Sequence, residues 1–371
     1  MNYITEKKSK PLILAYYLPQ FHPFKENNEW WGKGFTEWTN VGKAKPLYKG
    51  HYQPKIPADL GYYDLRLPII AEQQAELAKE SGVDGFCYWH YWFGDGKELM
   101  EMPFYRAVKT GKPDFPFCLG WANESWMAKL WNKNGVTGKT LIEQKYTGKE
   151  DHELHFYRYK EAFSDARYIK INGRPFFLIY RPLDFKNIKD FMKQWNLLLQ
   201  KEGIADSFYF VAHARNESEY DSLVSLGFDA INIFPLQRTP KDTKEFFKEL
   251  YNKFHKRITG IPRLIDYKKI IDETWNEQYE PKENVLPTLI PNWDHSPRSG
   301  KHALILNNST PDNWRIHIQK IFEGISHKDN KIIMLKSWNE WGEGNYMEPD
   351  LTFGKGYINA LHEALNSTLG K

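Results

Sequence analysis

Short apolar runs recur eight times along the chain, and polar residues gather where most of them end. The runs are Leu12–Leu18, Val83–Trp92, Phe115–Trp121, Pro175–Tyr180, Phe208–Ala212, Phe228–Phe234, Val285–Ile290 and Ile332–Leu335. Most are almost continuously apolar, the pattern of strands buried on both faces of a parallel sheet. Helical stripes separate most of them. Arg66–Ser81 places Leu67, Ile70, Ala71, Leu77 and Ala78 on one face and stops at Gly82. Glu150–Ala166, Asn187–Glu202, Glu217–Leu226, Lys241–Phe254 and Gly356–Leu369 also read as helices. The clearest helix start is Thr310 as N-cap with Pro311 behind it, leading a stripe of Trp314, His317, Ile318, Ile321 and Phe322. The stretch 23–65 lacks such periodicity. With Trp30, Trp31, Phe35 and Trp38 it is too apolar for a solvated linker, so an ordered loop is expected there.

Strands alternating with helices call for parallel strands joined by crossovers. An open doubly wound sheet satisfies that pattern. A closed (β/α)8 TIM barrel explains more, because eight strands close a barrel and its active sites lie at the strands' C-terminal ends. Those ends carry Gln20 and His22, Trp89 and His90, Trp121, Asn123 and Glu124, Tyr180 and Arg181, His213 and Arg215, Asn292, Trp293 and Asp294, then Asn339, Glu340 and Glu343. No short repeat, low-complexity tract or linker interrupts the chain. The expectation is an α/β fold with one barrel domain over residues 1–371 and a long ordered loop after its first strand.

Composition narrows the function. The chain has 14 Trp, 22 Tyr and 23 Phe, which suits carbohydrate-binding surfaces and a large aromatic core equally. A net charge of +4 with no basic block gives no footprint for nucleic acid. Cys87 and Cys118 fall inside strand runs and read as buried thiols, not as a disulfide scaffold. No stretch reaches the length of a membrane span, and no apolar leader core precedes the first strand, so a cytoplasmic location is expected unless a signal peptide has been removed.

The chemistry concentrates in Lys331–Pro349, where the last apolar run breaks into Trp338, Asn339, Glu340, Trp341 and Glu343. A solvated turn has little use for two indoles, and a core has little use for two carboxylates. A sugar cleft uses both, with aromatic faces for pyranose rings and a carboxyl pair for glycosidic acid–base work. A strand followed by a turn with ion-paired glutamates is the competing reading.

The stretch Asn339-Glu340-Trp341-Gly342-Glu343-Gly344, followed by Glu348-Pro349, resembles the catalytic segment of the endo-α-mannosidases of glycoside hydrolase family 99. There the segment reads Asn-Glu-Trp-His-Glu-Gly and ends in Glu-Pro. Through Ala15–His22, Gly34–Trp38, Phe86–Phe93 and Trp121–Glu124 the chain is similar, nearly end to end, to the WbsX-like relatives of that family, found among lipopolysaccharide and other polysaccharide biosynthesis proteins. The resemblance implies a (β/α)8 barrel and no metal or organic cofactor. It implies a retaining mechanism in which one carboxylate deprotonates the sugar's own 2-hydroxyl, which attacks the anomeric carbon to give a 1,2-anhydro sugar, while the other protonates the leaving group. Matched residue by residue, Glu340 takes the first role and Glu343 the second, so Glu340 is expected ionised and Glu343 protonated. Gly342 stands where the hydrolases have His.

The implied partner is a polysaccharide or oligosaccharide with an α-manno-configured residue, mannose or rhamnose in type. WbsX-like proteins are also called glycosyltransferases, but the chain has no Asp-x-Asp motif and no Walker-type loop for a sugar nucleotide. Transfer from a preformed glycan and a non-catalytic glycan-binding barrel stay open. Beside the glutamates, the expected pocket wall is Gln20, Trp38, Trp89, His90, Trp121, Asn123, Glu124, Tyr180, His213, Trp293, Asn339 and Trp341. Arg181 and Arg215 would bind an acidic group or hold Glu124 or Glu340 ionised. Asp294 and His295 lack a third ligand at metal-site spacing.

Overall fold

The computed structural model describes residues 10–132, 135–234, 236 and 259–369; the helix expected over Lys241–Phe254 lies outside them. All eight apolar runs form strands: β1 Leu12–Tyr17, β2 Gly85–Trp92, β3 Phe117–Trp121, β4 Arg174–Ile179, β5 Tyr209–Ala214, β6 Ala230–Ile233, β7 Val285–Leu286 continued as Thr288–Leu289, and β8 Ile332–Leu335. Each pairs in parallel with its sequence neighbour, and β8 pairs with β1 through Leu12↔Ile332 to Ala15↔Leu335. β7 closes the barrel. Its first half pairs with β6 and its second half with β8. The handover falls at Pro287, which has no N–H to donate and whose carbonyl instead accepts from Met334.

The connecting helices follow in chain order. They are α1 Lys25–Trp31, α2 Glu37–Lys43, α3 Pro68–Ser81, α4 Met102–Thr110, α5 Lys149–Ser164, α6 Ile188–Lys201, α7 Tyr220–Leu226, α8 Tyr267–Glu273, α9 Ser296–Ser299, α10 Pro311–Gly324 and α11 Gly356–Leu369. Gly82 ends α3 in the left-handed region at φ 89°, and the Thr310 hydroxyl caps α10 by accepting from the Asn313 amide. The loop after β1 is ordered as expected. It holds α1 and α2 and is pinned where the Trp38 indole donates to the Tyr63 carbonyl at 2.7 Å.

Strand alternation divides the aromatic residues into two populations. On β2, Cys87 and Trp89 turn into the barrel, where Trp89 stacks on Tyr16 of β1 at 4.7 Å. Gly120 makes room for them, since a Cβ there would sit 3.1 Å from the Trp89 ring and 3.2 Å from the Cys87 sulfur. His90 and Trp92 turn the other way, onto His155 of α5. A polar chain crosses the barrel interior near the C-terminal strand ends. Tyr16 donates to the Asn232 side chain at 2.8 Å, and Asn232 donates to the Thr288 hydroxyl at 2.8 Å. Each of these buried polar groups therefore has a partner.

Candidate active site

The last barrel strand stops at Leu335, where its apolar run ends, and Lys336 follows directly. The glutamates follow on a tight hairpin. Asn339–Glu340 pairs antiparallel with Asn345–Tyr346, and Trp341–Glu343 makes a single 3-10 turn between them. Gly344 leaves that turn at φ 55°, and a Cβ on it would fall 2.7–2.9 Å from Asp294. The hairpin is clamped from two sides. Asn339 copies a strand neighbour, accepting from the Leu18 amide at 2.8 Å and donating to the Leu18 carbonyl at 3.0 Å. Asn292, after β7, accepts from the Tyr346 amide at 2.9 Å, and the Asp294 amide donates to the Glu343 carbonyl at 2.8 Å.

On its front face the hairpin presents Glu340 and Glu343 to one ammonium. Lys336 Nζ lies 3.3 Å from Glu340 Oε2 and 4.0 Å from Glu343 Oε2, over the rings of Tyr16, Phe234 and Trp293. Among the described residues, Glu343 also gains a second cation in hydrogen-bonding contact. Arg298 of α9 donates to its Oε1 at 2.6 Å, and His295 Nε2 lies 3.6 Å from the same oxygen. The charge states follow. Burial raises the Glu340 pKa from 4.5 to about 7, with Lys336 and, more weakly, Arg298 opposing and Glu343 adding to the rise. Burial also opposes ionisation of Glu343, but Arg298, then His295 and Lys336, outweigh it and hold that carboxyl well below its usual range. Lys336 stays charged because Glu340 and Glu343 more than reverse the effect of its burial.

These two directions run opposite to the expected order. Arg298 favours the ionised form of Glu343, whereas burial favours the protonated form of Glu340, whose value of about 7 leaves it partly protonated at neutral pH. Arg298 carried no signal in the sequence and lies 45 residues away in the chain.

Several expected wall residues meet the pair. Tyr180 feels the charges of Glu124, Arg181, Lys336 and Glu343, and burial first of all pushes its hydroxyl up to about 12. Trp89 presents its ring to Tyr180 at 5.3 Å, His213 packs on Tyr180 at 4.7 Å, and Trp293 lies under the Lys336 ammonium. Arg181 stacks on Tyr180 and pairs with Glu124 at 3.3 Å. Gln20 contributes its backbone carbonyl to the Glu37 amide.

Others sit elsewhere. His90 and Trp121 belong to the helix layer, because they fall on the outward parity of their strands. His90 hydrogen-bonds His155 at 3.0 Å, and Trp121 packs on Phe191 of α6 at 5.3 Å. Asn123 is a brace, donating to the Tyr146 hydroxyl and the Arg181 carbonyl. Asn339 and Trp341 serve the back of the hairpin. Trp341 is 1% exposed, stacked on Tyr346 at 3.7 Å, packed against Trp38, and its indole donates to Glu348 at 2.6 Å. No face of Trp341 is left for a sugar. Arg215 pairs with Asp184 and Glu219 and reaches neither Glu124 nor Glu340 among its ion pairs. Trp30 packs on Trp126, while Trp31 is exposed. Asp294 is taken up by His51, Gln53 and the Ser296 amide, which together tie the 44–57 stretch to the loop after β7.

The residues missed by sequence reasoning are Lys336, Arg298, Glu37, Tyr16 and Tyr91. Parity would have found two of them. Tyr91 shares the inward side of β2 with Trp89, and Lys336 continues the phase of Ile332 and Met334.

Comparison with known proteins bears on the family and the fold. The sequence model of the glycosyltransferase WbsX family matches residues 13–361. WxcX from Xanthomonas campestris pv. campestris, a protein described as uncharacterised, is 33% identical over 359 residues, which are 95% of this chain and 49% of WxcX. The chain thus spans about half the length of the curated relatives it matches. Among solved structures, a glycoside hydrolase-like protein overlays with TM-score 0.59 at 12% identity, covering 98% of this chain and 96% of its own. The GH99 endo-α-mannosidase from Bacteroides thetaiotaomicron overlays with TM-score 0.55 at 14% identity, covering 96% of this chain and 97% of its own. At those identities the overlays speak for the barrel fold. The family match extends over nearly the whole barrel and its glutamate hairpin, and on it the chain belongs to the glycosyltransferase WbsX family.

Proposed function

We propose that this chain is a glycoside hydrolase-like enzyme that cleaves or transfers an α-manno-configured residue, mannose or rhamnose in type, within a polysaccharide. The observation that carries the reading is one hairpin that turns Glu340 and Glu343 to the same Lys336 ammonium at the C-terminal mouth of the barrel, with Arg298 bonded to Glu343, an arrangement that pushes the two carboxyls' pKa values apart. Acid–base cleavage of a glycosidic bond needs such a pair. A wall that only binds glycan needs neither a proton donor nor a base.

In the first step Glu340 gives its proton to the departing glycosidic oxygen as the bond from C1 breaks. Glu343 takes the proton of the 2-hydroxyl, whose oxygen bonds to C1 and closes a 1,2-anhydro sugar. In the second step the hydroxyl of water or of another sugar adds to C1 and opens the anhydro ring. The added hydroxyl's proton goes to Glu340, and O2 recovers its proton from Glu343. Both carboxyls return to their starting state, and the anomeric configuration is retained. The axial 2-hydroxyl of a manno sugar gives the geometry this attack needs. Tyr180, Trp89 and Trp293 supply aromatic surface beside the pair.

The family's description favours a second reading, transfer from a sugar nucleotide. One experiment separates the two. The protein is incubated with polysaccharides containing α-mannose or α-rhamnose, without nucleotide, and the products are analysed by mass spectrometry. In parallel, nucleoside diphosphate sugars are titrated by calorimetry. New glycan products without nucleotide support the glycosidase-like reading. Nucleotide-sugar binding with no change in any glycan overturns it.

A further inference from the structure

The turn between the two glutamates closes over a carboxylate from the loop after β1. A Cβ built on Gly342 would lie 1.8 Å from Glu37 Oε2 and 3.0 Å from Arg298 Nε. Position 342 carries no side chain because the Glu37–Arg298 pair already fills that volume. Glu37 opens α2, its side chain is 4% exposed, and its amide is tied to the Gln20 carbonyl. Arg298 Nε donates to Glu37 Oε2 at 3.1 Å, while its Nη1 donates to Glu343 at 2.6 Å. The guanidinium is thus gripped from behind by one carboxylate and aimed at the other.

Resting on the function proposed above, we propose that Glu37 is a positioning residue of this site: it clamps Arg298 against Glu343 and so decides that Glu343, and not Glu340, enters the reaction as base. Neither Glu37 nor Arg298 has to touch the sugar to do this.

The other groups around the pair cannot make that choice. Lys336, from the end of β8, reaches both glutamates at 3.3 and 4.0 Å. Tyr16 of β1, Tyr91 of β2 and Tyr180 beyond β4 are all kept neutral, by burial first. Glu124, beyond β3, is paired with Arg181. His295 sides with Glu343 but from 3.6 Å. Among the described residues, Arg298 is left as the permanent charge in hydrogen-bonding contact with Glu343, where it is the largest influence lowering the pKa, whereas on Glu340 it acts through space and less than Lys336.

The test follows the two carboxyls by 13C NMR in glutamate-labelled protein, with Glu340→Gln and Glu343→Gln used to identify the signals, and the pH–rate profile alongside. In Arg298→Gln the Glu343 midpoint rises by about 1–3 units, and the acid limb of the profile rises with it. Glu37→Ala, which frees Arg298, gives a rise of the same sign. Glu37→Gln keeps a hydrogen-bond acceptor and removes a negative charge, so both glutamates titrate lower. Arg298→Lys, which restores a charge, returns the Glu343 midpoint toward wild type. A structural role alone would lower thermal stability and leave these midpoints in place, and that result overturns the proposal. Where Arg298→Gln fails to fold, the downward shift in Glu37→Gln carries the test, and its absence overturns the proposal equally. A wild-type protein with Glu343 protonated at neutral pH would instead overturn the underlying assignment of acid and base, before any variant is made.

Discussion

The hairpin that carries the glutamates buries carboxyls on both of its faces. On the back, Glu348 accepts from neutral donors, among them the Trp341 indole at 2.6 Å, the Gln74 amide at 2.6 Å and the Tyr63 hydroxyl at 3.0 Å. On the front, Glu343 faces Arg298, His295 and Lys336. Burial wins at Glu348 and pushes it up to about 7, against all of its hydrogen bonds. At Glu343 the cations win. The lesson is that hydrogen bonds from neutral groups hold a carboxyl in place, whereas a full positive charge is what decides its protonation in a buried site. Glu340 lies between these cases, with one ammonium shared and a carboxylate neighbour, and burial pushes it up to about 7.

The largest effect that would break this comparison is on the front face. Glu340→Gln and Glu343→Gln each keep shape and lose proton chemistry, so each should cut turnover of the natural glycan by about 10²–10⁴-fold. Glycan binding and the thermal midpoint should stay near wild type. Full activity in Glu340→Gln would remove it from the mechanism. Trp341→Ala, on the back, should do the reverse. It removes a buried aromatic and a donor to Glu348, costing about 3–5 kcal/mol in denaturant unfolding, while activity per folded molecule stays within a few-fold.

Acidity sharpens the contrast. The acid must be protonated, so kcat/KM should fall about tenfold per pH unit above about 7, the Glu340 value. Stability carries the same signature with a definite sign. The Glu340 pKa is raised from 4.5 to about 7 on folding, so its ionisation is disfavoured in the folded state, and its contribution is lost as pH rises through that window. The loss is about 3 kcal/mol. Glu343, with a depressed pKa, contributes in the opposite sense, present above its unfolded value and lost in acid. Glu340→Gln has no such group to ionise, so unfolding measured from pH 4.5 to 8 should show the wild type losing ground to it. Parallel curves would contradict the shift. The smallest change expected is Tyr180→Phe, which loses only the hydroxyl that accepts from Arg181 at 2.8 Å, and should raise KM a few-fold with kcat nearly unchanged.

The barrel was readable because doubly buried strands write themselves as apolar runs, and even the break at Pro287 falls inside one of them. The glutamates were readable as paired carboxyls in an aromatic setting. Which aromatics face the site was half readable. Trp89 and His90 are adjacent residues with opposite fates, and the parity of β2 assigns them, whereas strand-end position alone treats them alike. Trp341 misled because an indole beside a glutamate suits a sugar platform and a hairpin brace equally, and only its 1% exposure decides. The protonation order was not readable. It depends on Arg298 reaching back from a one-turn helix and on Glu37 arriving from the loop after β1, contacts of 45 and 261 residues' separation that leave no periodic trace.

The measurement that tests the account most directly is a pH titration of the two carboxyls by 13C NMR in the wild-type protein. The account predicts one signal, lost in Glu340→Gln, that is protonated at pH 6 and titrates near 7, and a second, lost in Glu343→Gln, that is ionised throughout that range. Finding the proton on Glu343 at neutral pH, with Glu340 ionised, would contradict it.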